Sequence, residues 1–276
     1  MMGTTQTVEA VDYLTADERP LGDVQEEKQV LPQMVEKPIW QWTTQTIEVL
    51  VGGPDKALYY ALKRLFDVVA AGLLLFLLLP LLVLIATLIK LDSPGPIFFI
   101  HNRVGSRRRK FGGQVSWEVQ PFPFFKFRSM RADSDESLHQ KHIEAYMKGE
   151  LETDTVDGAK VKIKNDPRIT KIGHFIRRTS LDELPQLINV LRGEMSLVGP
   201  RPVPLYEAEG YEDWHRARLA AVPGITGYWQ VKGRGQVLFE EMINLDLEYV
   251  RDASLWLDFK ILFLTIPAIL SGDGAE

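Results

Sequence analysis

Between Val68 and Ile89 the chain runs for 22 residues without a charged side chain, VVAAGLLLFLLLPLLVLIATLI. As a straight helix that run is about 33 Å long, against a bilayer hydrocarbon core of about 30 Å, so length alone predicts a single spanning helix. Two features favour a bend. Pro80 near the middle removes a backbone hydrogen bond and kinks a helix. Lys63 and Arg64 precede the run and Lys90 follows it, and basic flanks favour the cytoplasmic side at both ends. Proline is also tolerated in true spans, so the pattern by itself admits both forms.

Ala57 to Phe66 reads as a short helix ahead of the apolar run. Phe122–Met130 (FPFFKFRSM) is strand-like, and period 2 puts Phe122, Phe124, Lys126 and Arg128 on one face and Phe125 and Phe127 on the other. Leu184, Leu187, Ile188 and Leu191 follow i, i+3, i+4, i+7 spacing and predict a helix closed by Gly193. Its start is either a Ser180–Glu183 capping box or an Asp182 N-cap with Pro185 in the first turn. Val222–Gln230 reads as a turn followed by a strand. Ser254–Pro267 is helical and apolar, but Asp258 and Lys260 make it too charged for a second span; it fits an interfacial helix with Trp256 at headgroup level. Up to Lys37 no period is sustained, and the polar composition predicts a disordered tail.

Among 276 residues there is no cysteine, which excludes a disulfide scaffold, a thiolate metal site and a cysteine nucleophile. The net charge of −5 gives no reason to expect nucleic acid. That average hides an acidic N-terminal part, ten acids against four bases over residues 1–60, and a basic stretch, nine bases against two acids over residues 90–131. Arg107–Lys110, beside Gly105, Gly112 and Gly113, reads as a loop suited to anionic lipid headgroups, at about 1 kcal/mol per basic residue.

Lys126 and Arg128 at a strand end can hold a phosphate, arginine doing so bidentately. Asp133, Asp135 and Glu136 follow at once, a pattern that suits a divalent cation or an activated carboxylate, and equally the acidic start of a helix. Asp182 and Glu183 read first as helix starters. Arg201 lies between Pro200 and Pro202, so a stiff loop presents its guanidinium, for an anionic ligand or for a structural carboxylate. Lys232 and Arg234 add two further cations.

In their order along the chain, KRLFDVVAAG, the apolar run with Pro80, DSPGPIFFIHNRVG, FKFRSM, DPRITKIGHFIRRTSLDELPQLINVLRGEMSLVGPRP, PGITGYWQVKGR and SLWLDFKILFLTIPAIL resemble the bacterial sugar transferases, the monotopic phosphoglycosyl transferases. The resemblance covers about Lys63 to Gly272. It implies a mainly helical α/β monotopic membrane protein, with a proline-broken re-entrant helix, a small α/β catalytic domain and interfacial amphipathic helices. The implied layout is an acidic tail (1–38), a pre-membrane segment (39–66), the re-entrant helix (67–90) and a catalytic domain (91–276) on the cytoplasmic face of a bacterial inner membrane.

The implied reaction moves a sugar-1-phosphate from a UDP-sugar to polyprenyl phosphate with Mg²⁺, through an aspartyl phosphosugar, releasing UMP; exopolysaccharide assembly is the expected setting. Residue by residue, Asp135 matches the nucleophile and Glu136 its metal or proton partner, with both as metal ligands and Asp133 competing for the nucleophile's place. Lys126, Arg128 and Arg201 are the expected phosphate and nucleotide clamps, with Asp182 and Glu183 in support. The family often breaks its helix at Ser-Pro, where this chain has Leu79-Pro80. Membrane lipids are expected partners, and a homo-oligomer is compatible. Competing readings are a catalytically inactive membrane-attached scaffold and a lipid-pyrophosphate phosphatase.

Overall fold

The computed structural model describes residues 56–111, 114–131, 137–150, 166–233 and 237–271. The acidic tail, Asp133, Asp135, Glu136 and Arg234 lie outside the described residues.

The expected short helix and the first half of the apolar run are one rod, α1 (Ala57–Leu77), followed after Leu78 by α2 (Leu79–Asp92). The two are bent by 62°. Pro80 sits in the first turn of α2, where its missing N–H has no intrahelical acceptor to lose. The proline therefore starts α2, and the break falls at Leu78, one residue earlier than expected. Among the described residues no single helix is long and apolar enough to cross a membrane, although the bent pair together has the length and composition.

Next comes a long antiparallel hairpin of β1 (Phe98–Phe111) and β2 (Gln114–Phe127), in register from Phe98↔Phe127 to Phe111↔Gln114. Arg107–Lys110 is thus strand, not loop. Val115, Trp117 and Val119 alternate along β2, and Trp117 and Val119 are buried, which carries the pairing to the tip. Trp117 meets the Tyr60 ring at 5.6 Å, and Arg108 lies over that ring at 5.2 Å, so the basic end of the hairpin packs on the first turn of α1.

The remaining elements follow as α3 (Ser137–Met147), α4 (Lys171–Arg178), a 3₁₀ turn (Leu181–Glu183), α5 (Gln186–Arg192), β3 (Ser196–Val198), β4 (Val203–Pro204), α6 (Leu205–Glu209) and α7 (Asp213–Arg216). After them come β5 (Gly224–Thr226), α8 (Tyr228–Lys232), α9 (Phe239–Asp252) and α10 (Leu255–Ser271). β4 pairs with the free edge of β1, and β3 with β5 in parallel.

α5 begins at Gln186, later than either expected start. Ser180 has a left-handed backbone (φ 55°) and its side chain caps nothing, so the capping box does not form. Gly193 closes the helix at φ 76°, a conformation that suits glycine. Residues after Thr226 form α8 where a strand was expected. A Cβ on Gly227 would lie 2.5 Å from the Gly199 carbonyl oxygen, so that close approach directs the chain out of the sheet.

Polar side chains fasten these pieces together. Asn189, wholly buried, accepts from the Phe125 amide (3.1 Å) and donates to the Pro123 carbonyl (2.7 Å), satisfying the open edge of β2. Lys63 of α1 pairs with Asp258 of α10 at 2.9 Å, and Asp258 also accepts from Tyr59 (2.9 Å) and Tyr249 (2.8 Å). Asp67 accepts the Leu197 amide at 3.1 Å. The inner side of α1 is therefore fixed to the domain, while its Phe76 and Leu77 face outward with Leu79 and Val83 of α2. α10 buries Ile261 and exposes Trp256, Phe263 and Ile266.

Candidate active site

The site is built on one face of the hairpin. Phe99, His101 and Arg103 of β1 stand opposite Lys126, Phe124 and Phe122 of β2, and directly opposed residues share a face. The expected placement of Phe122, Phe124 and Lys126 together therefore holds. The Phe124 ring lies between two cations, with the Arg103 guanidinium 4.5 Å and the Lys126 ammonium 5.7 Å from its centre.

Lys126 and Arg201 converge on one carboxylate. Each donates to Glu183 Oε1 at 2.8 Å, and Lys126 also reaches Asp182 at 3.5 Å. The 3₁₀ turn thus turns both acids into the sheet face, and Glu183 serves this cluster instead of a helix cap. Burial alone would raise the Glu183 carboxyl, but the adjacent Arg201 and Lys126 charges outweigh it and hold the group well below the usual range.

The Arg201 loop is held from behind. A Cβ on Gly199 would lie 2.2 Å from the Val222 carbonyl oxygen, so the loop after β3 packs backbone to backbone against the start of β5. The Gly199 amide donates to Thr226 (2.9 Å) and the Gly224 amide to Pro200 (2.9 Å). Arg218, almost wholly buried, donates to the Arg201 carbonyl at 3.2 Å while paired with Asp246 at 2.5 Å and Tyr211.

Arg128 turns elsewhere. Its guanidinium donates to the carbonyls of Pro94 and Ser93 (2.7 Å each), to Ser93 Oγ (3.0 Å) and, longer, to Ile89 (3.4 Å). It binds the end of α2, where a cation also complements the helix dipole. Beyond it, Met130 bridges Ile169, and the Arg131 amide donates to Arg168 at 3.0 Å. The carboxylate-bearing stretch departs at this point, next to Arg168, which Asp166 grips at 2.6 Å. The Asp166 carboxyl is lowered mainly by those hydrogen bonds.

On the far side of that stretch, His139 of α3 faces the Tyr206 ring at 6.4 Å. Burial, then the nearby Arg103, His142, Arg168 and His101, push its imidazole down to about 4. Arg103, His139, Arg168 and Tyr206 were not singled out by the sequence. Only Arg103 lies on the hairpin; the others come from α3, α6 and the loop before α4, so no local pattern ties them together.

A family model for the bacterial sugar transferases matches residues 58–272. The chain belongs to this family. Among bacterial sugar transferases it is 48% identical over 218 residues to the UDP-galactose-lipid carrier transferase of Erwinia amylovora, covering 78% of this chain and 41% of the relative. It is 44% identical over 215 residues to the undecaprenyl-phosphate glucose phosphotransferase of Komagataeibacter xylinus, covering 74% and 35%. With the exopolysaccharide production protein ExoY of Rhizobium meliloti it shares 40% over 216 residues, 77% of this chain and 87% of the relative. The chain thus spans less than half the length of the first two sugar transferases and most of the third.

Proposed function

We propose that this sugar transferase moves a sugar-1-phosphate from a UDP-sugar to polyprenyl phosphate at the cytoplasmic face of a bacterial membrane, in exopolysaccharide or related glycoconjugate assembly. The observation that carries this reading is the gathering of Lys126, Arg201 and Arg103 on one face of the hairpin, with Arg168 beside Arg131, after which the Asp135–Glu136 stretch follows in the chain. A carboxylate attacking a phosphate faces charge repulsion, and such a cationic field offsets it.

In the proposed reaction a carboxylate oxygen of Asp135 attacks the sugar-bearing phosphorus. The P–O bond to the UMP oxygen breaks and UMP leaves. A polyprenyl phosphate oxygen then attacks the same phosphorus, forming the diphosphate and restoring the Asp135 carboxylate. Mg²⁺ is proposed for the same stretch, because Asp135 and Glu136 are hard oxygen donors, and it would neutralise charge on the phosphates. Among the described residues no three Asp, Glu or His side chains gather as a metal cage, and Asp182 and Glu183 are engaged by Lys126.

A lipid acceptor needs a site at headgroup level. The bent α1–α2 pair with its outward Leu and Phe side chains, together with exposed Phe175, Trp256 and Phe263, supports a re-entrant hairpin flanked by interfacial helices. The test is radiolabelled UDP-sugar given to solubilised protein without acceptor. Label should stay covalently on the protein, UMP should appear, and Asp135→Asn should abolish both. Full labelling in that variant with loss in Asp133→Asn moves the nucleophile. No UMP from any UDP-sugar overturns the reaction, and release of inorganic phosphate from a lipid diphosphate would replace it with a phosphatase.

A further inference from the structure

Arg103 lies near the middle of the hairpin, opposite Phe122 on one side and Pro204 on the other. Among the described residues its guanidinium makes one hydrogen bond, Nη1 to the Pro202 carbonyl at 2.5 Å, and rests on the Phe124 ring. Nε is buried with no hydrogen-bond partner among the described residues. Among the described residues no carboxylate forms an ion pair with it, whereas Lys126, Arg168, Arg201 and Arg218 each hold one. A guanidinium has five donors, and an enclosed one is normally met by a carboxylate or a phosphate.

A purely structural role accounts for little of this arrangement. Fastening Pro202 uses one donor, and stacking on Phe124 uses none. The groups acting on Arg103 are mixed, with Arg201 repelling it and Glu207, Glu183 and Tyr206 attracting it; burial together with Arg201 depresses it to about 10. Glu183 is committed to Lys126 and Arg201, and Glu207 to Tyr211, with Arg218 3.9 Å away. Arg201, held by one hydrogen bond to Glu183, lies on the loop that Arg103 touches through Pro202.

We propose that Arg103, with Arg201 beside it, forms a phosphate-binding pocket on the sheet face, taking a phosphate of the UDP-sugar diphosphate or the terminal phosphate of the lipid acceptor. The assignment rests on the transferase reading given above. It gives Arg103 the bidentate role in phosphate recognition that the sequence pattern had suggested for Arg128.

Binding is measured on the full chain in detergent with UDP, UMP, uridine and a short-chain polyprenyl phosphate as probes. Arg103→Gln should weaken UDP at least tenfold and leave uridine unchanged. Loss on the polyprenyl phosphate arm alone also supports the pocket and assigns it to the acceptor. Affinities within twofold of wild type on every phosphate arm overturn it. If Arg103→Gln does not fold, the wild type decides: bound UDP or polyprenyl phosphate should slow hydrogen exchange at residues 101–105 and 200–204, and binding of both without slowing there overturns the pocket. A chain that binds UDP through Arg103 but transfers no sugar phosphate sinks the transferase reading alone. One that transfers normally while Arg103→Gln binds every phosphate probe like wild type sinks the pocket alone.

Discussion

Replacing Arg128 by methionine keeps much of the side chain's bulk and removes its contacts with the end of α2. Two of these are 2.7 Å bonds to the Ser93 and Pro94 carbonyls, and a third reaches Ser93 Oγ at 3.0 Å. Hydrogen bonds to charged groups contribute about 1.5–3 kcal/mol each, but Pro94 is exposed, so water would replace part of the loss. A local cost of about 2–4 kcal/mol follows. Hydrogen exchange over residues 89–98 should accelerate about 30-fold or more, since each 1.4 kcal/mol is tenfold. The α5 amides, which Arg128 does not touch, should keep their protection. Arg128→Lys, with a single ammonium, should fall between. Unchanged exchange in Arg128→Met, combined with a raised KM for the UDP-sugar, would refute this role and return Arg128 to the phosphate clamp that the sequence suggests.

Glu183→Gln leaves Lys126 and Arg201 without their shared anion and should lower stability by about 2–3 kcal/mol at neutral pH in thermal or urea unfolding. Because its folded pKa is depressed, the wild-type contribution is present above the unfolded value of about 4.3 and fades as pH falls below it; the Gln variant should show a flatter profile there. Gly199→Ala forces a Cβ to 2.2 Å from a backbone oxygen, and should cost about 1–3 kcal/mol and lower turnover by displacing the Arg201 loop. Lys63→Met strands Asp258 in its buried site and should cost about 3–5 kcal/mol, read as a lower Tm in detergent. Single cysteines at Leu58 and Pro96, both exposed, should be labelled from the same side of the membrane in sealed vesicles; labelling from opposite sides would restore a spanning helix.

Period and punctuation made several elements legible. The run around Pro80, the strand ending in FKF, the helix closed by Gly193 and the amphipathic C-terminal helix all declare themselves through local pattern. What stayed hidden depends on partners distant in sequence. Glu183 looks like a helix starter until Lys126 and Arg201 arrive from 57 and 18 residues away. Arg128 shares a two-residue period with Lys126, yet the strand ends between them, and the end of α2 offers the guanidinium its acceptors. Arg107–Lys110 has the composition of a loop, and only the facing strand, with Trp117 opposite Arg108, makes it strand. Arg103 carries no motif signal of its own. Its importance comes from the charges that surround it and from those that do not pair with it.

The buried side of α1 ends at Ala71, and α2 regains buried contact at Ile85. Between them Leu73, Leu74, Phe76 and Leu77 on one arm and Leu79, Val83 and Leu84 on the other face outward, within six residues and about 9 Å of rise on each arm. One leaflet of a bilayer core is about 15 Å deep. For a hairpin seated in a membrane, the domain then acts as a collar, and further insertion would require pulling Lys63 and Asp67 away from their partners. A spanning helix must match the whole bilayer and is subject to hydrophobic mismatch. The proposed re-entrant hairpin would engage the near leaflet alone, so catalysis should then be indifferent to acyl-chain length while responding to the packing of the headgroups through which it enters.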